Sequence, residues 1–203
     1  MKSFWNERYS SEEYAYGVQP NDFLVEAAKR LPTASRILSL GEGEGRNAAF
    51  LAKCGHKVTA VDQSEIGLLK TEKLAASQGC TVETVVSDLR EYEIGEQKWN
   101  AIVSIFCHVP SELRRVLYPK IRAGLKTGGV LIVEAYAPEQ LKRNSGGPKE
   151  ADLLVSLDEL QTQFAGFEIA HAQAMTRVIQ EGLFHQGVSD VTQFIGINPK
   201  DAV

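Results

Sequence analysis

Cysteine, histidine and basic clusters are scarce in this 203-residue chain, and each scarcity argues against a class of protein. The four histidines show no His-x-x-x-His spacing, so we expect no bound metal. No run of lysine or arginine stands out and the formal net charge is -4, which argues against a nucleic-acid partner. The cysteines form no Cys-x-x-Cys pair and read as reduced thiols rather than a disulfide frame or zinc site: Cys54, Cys80 and Cys107.

Long apolar segments are also missing. The first residues, MKSFWNERYSSEEYAYG, contain no apolar core of a signal peptide, and no apolar run approaches the roughly 20 residues of a membrane span. With reduced thiols, this predicts a cytoplasmic protein with no membrane partner. Nothing in the sequence indicates an oligomeric state.

The length and the 43% hydrophobic content suit one domain spanning residues 1–203. Residues 1–35 are interpreted as a helical and aromatic cover, 36–136 as the core, and 137–203 as a loop, a helix and a closing hairpin. The cover has enough apolar surface to dock on the core, because it carries Phe4, Trp5, Tyr9, Tyr14 and Tyr16.

Short apolar runs alternate with helical patterns along the core. Strands are predicted over 36–40, 56–62, 80–88, 99–106 and 129–136, and helices over 22–30, 46–55, 64–79, 110–129 and 156–164. Pro119 should kink or break its helix. Segments 167–180 and 187–197 form a hairpin around the loop EGLFHQG. The order predicts an α/β protein with a Rossmann-like, doubly wound, mostly parallel seven-stranded sheet and a C-terminal antiparallel hairpin.

The turn after the first strand reads Gly41-Glu42-Gly43-Glu44-Gly45. Alternating glycines at this place allow a sharp turn and a close approach to the backbone, although a plain tight turn is the alternative. A dinucleotide loop needs a further glycine at position 46, where this chain has Arg46. The spacing therefore disfavours a nicotinamide-dependent oxidoreductase.

Two aspartates end the next two predicted strands. Asp62 lies 21 residues after Gly41, where a carboxylate binds ribose hydroxyls in nucleotide-binding folds, unless it only caps a helix. Asp88 could accept a hydrogen bond from an adenine amine, with Leu89 against the ring. A turn or capping role is the alternative for Asp88.

These motifs, in order, resemble class I S-adenosylmethionine-dependent methyltransferases: ILSLGEGEG, TAVDQS, SDLRE, WNAIVSIF and GLKTGGVLIVEAY. The segments WNERYSSEEYAYGVQPNDFL and FCHVP look like the small-molecule branch that includes tellurite-resistance and thiopurine methyltransferase-like proteins. The resemblance implies an enzyme that uses S-adenosyl-L-methionine to methylate a small-molecule acceptor. A nicotinamide-dependent oxidoreductase and a non-catalytic S-adenosylmethionine-binding protein are the alternatives.

The resemblance also implies a cofactor site. Its members would be Gly41, Glu42, Gly43, Gly45, Asp62, Gln63, Asp88, Leu89, Ile105 and Phe106. One position departs from the pattern, because Ser39 stands where the family usually carries an acid. Glu42 either supplies that missing charge to the methionine ammonium or is a solvated loop residue.

Acceptor residues are predicted from segments that converge over the same sheet edge. His108 is the candidate catalytic residue, because a histidine can act as a base or orient an acceptor near neutral pH. A loop histidine bonded to backbone is the alternative. Tyr16, Tyr136 and His185 are the candidate substrate contacts, with packing roles as the alternative.

Overall fold

A computed structural model describes residues 2–199. Seven strands form one sheet in the order β3-β2-β1-β4-β5-β7-β6, with β7 antiparallel to both its neighbours and the other pairings parallel. The strands are β1 Arg36–Leu40, β2 Lys57–Asp62, β3 Glu83–Val86, β4 Trp99–Ile105, β5 Leu125–Tyr136, β6 Glu168–Glu181 and β7 His185–Ile197. The predicted fold class is confirmed.

Helices cover both faces of the sheet, because alternate strand residues point to opposite sides. Leu38 and Leu40 pack in one core with the helices Ser111–Gly124 and Leu157–Gln163, whereas Ile37 packs in a second core with the helices Asp22–Ala28 and Arg46–Lys53. The helices are α1 Lys2–Arg8, α2 Asp22–Ala28, α3 Arg46–Lys53, α4 Glu65–Ser77, α5 Ser111–Gly124 and α6 Leu157–Gln163. In the described part of the chain, no helix has both the length and the apolarity that a membrane crossing requires.

Several element boundaries differ from the sequence prediction. Helix α5 runs unbroken through Pro119, which lies on its exposed face, where water can bind the backbone carbonyl that loses its donor. Strand β5 starts at Leu125, four residues early, because Leu125 pairs with Trp99 ahead of an irregularity in the register. The hairpin strands extend to the pair Glu181 and His185, so the predicted seven-residue loop shrinks to three residues.

The chain leaves β1 toward β2 and β3 on one side, then crosses to β4 and β5 on the other. The strand order reverses between β1 and β4. The crevice beyond the carboxyl ends of the strands at such a point is the usual ligand site of an open α/β sheet. The turn Gly41–Gly45 follows β1 and the segment Phe106–Pro110 follows β4. These two turns therefore flank the crevice.

Candidate active site

A cavity of about 510 Å³ fills this crevice, within the usual range of small-molecule sites. The turns after β1, β2 and β4, the segment 87–90, the first turns of α3, the N-terminal cover and the tip of the hairpin form its walls. Eight of the ten predicted cofactor residues line it: Gly41, Glu42, Asp62, Gln63, Asp88, Leu89, Ile105 and Phe106. His108, Tyr16 and His185 line it as well.

Three predicted residues lie behind the walls. Gly43 and Gly45 belong to the loop but face protein, since a Cβ on Gly43 would lie 2.7 Å from the Tyr9 hydroxyl oxygen and one on Gly45 would lie 2.5 Å from Thr71 Cα. Both glycines have positive φ, at 67° and 93°. They let the loop pack against the cover and α4. Tyr136 is fully buried beneath Phe106 and does not line the cavity.

Glu42 is buried rather than solvated. Its Oε1 accepts hydrogen bonds from the backbone amides of Asn47 at 3.1 Å and Ala48 at 2.9 Å, and its Oε2 accepts one from the Ser39 hydroxyl. The amides belong to the first turn of α3, whose N-cap Gly45 has no side chain to bond them. Burial raises the pKa of Glu42, while the Ser39 bond, these amides and the charge of Arg46 oppose the rise. The alternative of a solvated loop glutamate is wrong.

Asp62 and Asp88 hold two corners of the cavity in different ways. The two oxygens of Asp62 accept hydrogen bonds from the amides of Gly43 at 2.9 Å and Ser64 at 2.8 Å. Each carboxylate oxygen keeps a further lone pair, so Asp62 can still bind hydroxyl groups. Burial raises the pKa of Asp62, against these amide bonds. Asp88 is partly exposed and pairs with Arg90 at 3.1 Å.

Arg46, which stands where a dinucleotide loop needs glycine, also lines the cavity. It is 7% exposed, and its Nη2 donates to Glu181 Oε2 at 2.7 Å. Its Nη1 is buried and has no hydrogen-bond partner among the described residues. Burial would raise the pKa of Glu181, but the His185 hydrogen bond and the Arg46 charge outweigh it and lower that pKa to about 2. The guanidinium is therefore fixed by Glu181, and its charge acts on Glu42.

The far end of the cavity is aromatic. Phe106 contacts His185 with ring centroids 4.9 Å apart, and Tyr16 lies 4.5 Å from the same histidine. Phe106 has φ of 51°, an unfavourable conformation for a bulky residue of the kind found at functional sites. Burial lowers the pKa of His185, against its hydrogen bond to Glu181. This end is therefore lined by aromatic rings, and one of them, His185, is hydrogen-bonded to the carboxylate of Glu181.

His108 is held as a neutral imidazole. Its Nδ1 lies 3.0 Å from the Leu153 carbonyl oxygen, and a carbonyl only accepts, so Nδ1 carries the proton. Nε2 is then a free lone pair, and it has no partner in the described structure. Burial lowers the pKa of His108 to about 4. The backbone bond expected of a loop histidine is present, but it is made by Nδ1. It fixes the orientation of the ring and leaves Nε2 without a partner.

The N-terminal cover is tied to the loop through Glu44, to which the sequence assigned no role. Glu44 accepts a hydrogen bond from the Ala15 amide at 2.8 Å and forms an ion pair with Lys70. The Ala15 carbonyl in turn accepts from Leu183 at the hairpin tip, at 2.8 Å. The cover is therefore fastened to both ends of the cavity.

A glycine loop at the strand reversal, an acid at the end of β2 and an antiparallel β7 next to β5 are features of one class of fold. Residues 37–129 match the family model described as a methyltransferase domain, and the fold is that of class I S-adenosylmethionine-dependent methyltransferases, as the sequence motifs predicted. That class implies S-adenosylmethionine as the cofactor.

Known relatives agree with this class. The release factor glutamine methyltransferase of Geobacter sulfurreducens is 34% identical over 135 residues, which are 60% of this chain and 46% of that protein. TehB of Haemophilus influenzae, named as a probable S-adenosyl-L-methionine-dependent methyltransferase, is 26% identical over 66% of this chain and 47% of its own length. The crystal structure of TehB superposes with a TM-score of 0.74 at 17% identity, over 98% of this chain and 67% of that one. The chain spans less than half the length of these two curated relatives.

Proposed function

We propose that this protein transfers the methyl group of S-adenosylmethionine to a small-molecule acceptor. One observation carries the proposal: the buried acid Glu42 and the buried arginine Arg46, whose Nη1 has no hydrogen-bond partner among the described residues, both line one cavity. The methionine end of the cofactor bears an ammonium and a carboxylate, and this pair of side chains complements both charges.

The remaining cofactor contacts follow from the same placement. Asp62 would bind the ribose hydroxyls through its free lone pairs, and Asp88 and Leu89, which line the same cavity, would meet the adenine. Ile105 and Phe106 end β4 between the loop and the aromatic rings. The methyl group would then point away from the loop, toward His108 and His185.

When bound, S-adenosylmethionine supplies a methyl group on a positively charged sulfur, and transfer is an in-line displacement. The protein's task is to orient the acceptor and exclude water. His108 suits orientation, because its free Nε2 accepts a hydrogen bond from an acceptor X–H group. Its pKa of about 4 makes it a weak proton sink at neutral pH.

A small acceptor is favoured by the cover. Trp5 and Tyr16 from the N-terminus and Phe184 from the hairpin line the cavity, so the acceptor end lies beneath the chain's own segments. A macromolecular acceptor would have to displace this cover.

Calorimetry with S-adenosylmethionine, S-adenosylhomocysteine and NAD tests the cofactor. Both sulfur compounds should bind and NAD should not, and preferred binding of NAD would contradict the proposal. Transfer of radiolabelled methyl groups to a panel of thiols, phenols and amines then separates an enzyme from a non-catalytic binding protein.

Glu42→Gln tests the carboxylate itself. Glutamine keeps an oxygen for the α3 amides but loses the charge, so the Kd for S-adenosylhomocysteine should rise about tenfold or more while the fold is kept. Glu65→Gln is the matched control, because Glu65 is exposed at the start of α4 and lies outside the cavity. An unchanged Kd in Glu42→Gln would sink the role of Glu42 as the replacement for the missing acid.

A further inference from the structure

The acceptor end of the cavity holds a positive charge that the fold does not neutralise. Arg8, in the last turn of α1, lines the cavity and is half-buried. Its guanidinium lies 4.0 Å from the Phe184 ring centroid and 5.1 Å from that of Phe4. No ion pair joins Arg8 to an acid within residues 2–199. Two rings therefore pack on the guanidinium, which also hydrogen-bonds Tyr16, and no acid of the described residues neutralises its charge.

The charge of Arg8 also acts on the hydroxyl of Tyr16. Burial raises the pKa of Tyr16, and the charge of Glu44 adds to that rise. The charge of Arg8 and its hydrogen bond to Tyr16 oppose the rise, as does the charge of Arg46. Arg8 and Tyr16, which both line the cavity, thus lie on one side of the acceptor end.

The acids of the cavity walls do not cancel this charge. Four of them are already engaged by protein donors: Glu42 and Asp62 by backbone amides, Glu44 by Lys70 and Asp88 by Arg90. The fifth, Glu150, is exposed to solvent. His108 and His185 have lowered pKa values and are neutral at pH 7, so they add no charge of either sign.

We propose that the acceptor is a flat organic molecule bearing a carboxylate, which Arg8 binds while the aromatic rings hold the flat body. That this ligand is a methyl acceptor rests on the proposed function. Its binding as an anion depends on the cavity alone. Phe106, His185 and Phe184 offer ring faces on several sides, which suits a planar group. A cationic acceptor also suits ring faces, but it would meet the repulsion of Arg8.

Binding of simple probes tests the proposal. Benzoate, benzamide, benzylamine and acetate are titrated into the protein saturated with S-adenosylhomocysteine, with the fluorescence of cavity-lining Trp5 as the readout. Benzoate should bind at least about tenfold more tightly than benzamide, as a charge-assisted bond provides. Benzylamine and acetate should bind more weakly than benzoate, since one has the wrong charge and the other has no ring.

Arg8→Gln should remove the preference for benzoate over benzamide while leaving benzamide binding unchanged, and Arg8→Lys should keep part of it. Arg115→Gln is the matched control, because it removes one arginine from an exposed site on α5 outside the cavity. The proposal is overturned if benzamide or benzylamine binds as tightly as benzoate, if none of the probes binds, or if Arg8→Gln keeps the preference.

The same titrations without S-adenosylhomocysteine score the anion preference separately. If S-adenosylhomocysteine fails to bind but benzoate still depends on Arg8, the cofactor proposal fails and the anion site stands. If S-adenosylhomocysteine binds and benzoate shows no preference, the anion site fails and the cofactor proposal stands.

Discussion

The two ends of the cavity differ in how far the protein itself satisfies their polar groups. At the loop end, the carboxylates of Glu42 and Asp62 each accept at least two hydrogen bonds from protein donors. At the hairpin end, His108 Nε2 has no partner, and Arg8 forms no ion pair in the described structure. The loop end is fixed by the backbone before any ligand arrives, whereas the hairpin end leaves polar groups for a ligand to satisfy.

The difference suits two kinds of ligand. A cofactor common to a whole class can be bound by groups that the fold itself positions, because every member needs the same geometry. An acceptor that varies between relatives is better bound by side chains on loops and on a hairpin, which change without disturbing the sheet.

The largest effect is expected where the loop end packs against α4. Gly45→Ala should lower the free energy of unfolding by about 3 kcal/mol or more, because a Cβ there has both a positive φ and backbone in its place. Gly55→Ala, at the other end of α3, also has a positive φ, of 89°, but nothing within 4 Å. It should lose only about 1–2 kcal/mol. Equal losses in urea unfolding would show that the loop does not depend on this close packing.

A smaller effect is expected at the hairpin end as the pH falls. His108 has its pKa lowered from 6.5 to about 4 by burial, so the unfolded chain takes up this proton first. The free energy of unfolding should therefore fall by about 2 to 3 kcal/mol between pH 7 and 4.5 through this residue. His108→Gln should show a correspondingly shallower loss in urea unfolding at the two pH values. A variant as acid-sensitive as the parent would mean that His108 is not held neutral by burial.

The smallest effect is expected at the outer corner of the loop end. Arg90→Gln breaks an ion pair whose two side chains are 51% and 38% exposed, and solvent screens such pairs. Its free energy of unfolding should stay within about 0.5 kcal/mol of the parent. A loss above about 1 kcal/mol would show that Asp88 is braced by the protein and is less available to a ligand than proposed.

Much of the loop end could be predicted from sequence, because its signals are local. Glycine spacing, the aspartate at the end of β2 and the alternation of strands and helices all follow the chain order. Helix α1 was missed, since seven residues with no capping signal give little periodicity. The ligand contacts assigned to these residues stay predictions.

The amino-acid order by itself determined the sheet, the position of the crevice and the class of the cofactor, because these depend on periodicity and on glycine and aspartate at fixed offsets. Only the tertiary structure decided the partners of individual side chains. Glu42 accepts hydrogen bonds from the α3 amides, Glu44 accepts one from the cover, and Tyr136 is buried behind Phe106. It also brought Arg8 and His185, 177 positions apart, to one cavity. Such meetings depend on how the cover and the hairpin fold back over the sheet, and no local pattern encodes them.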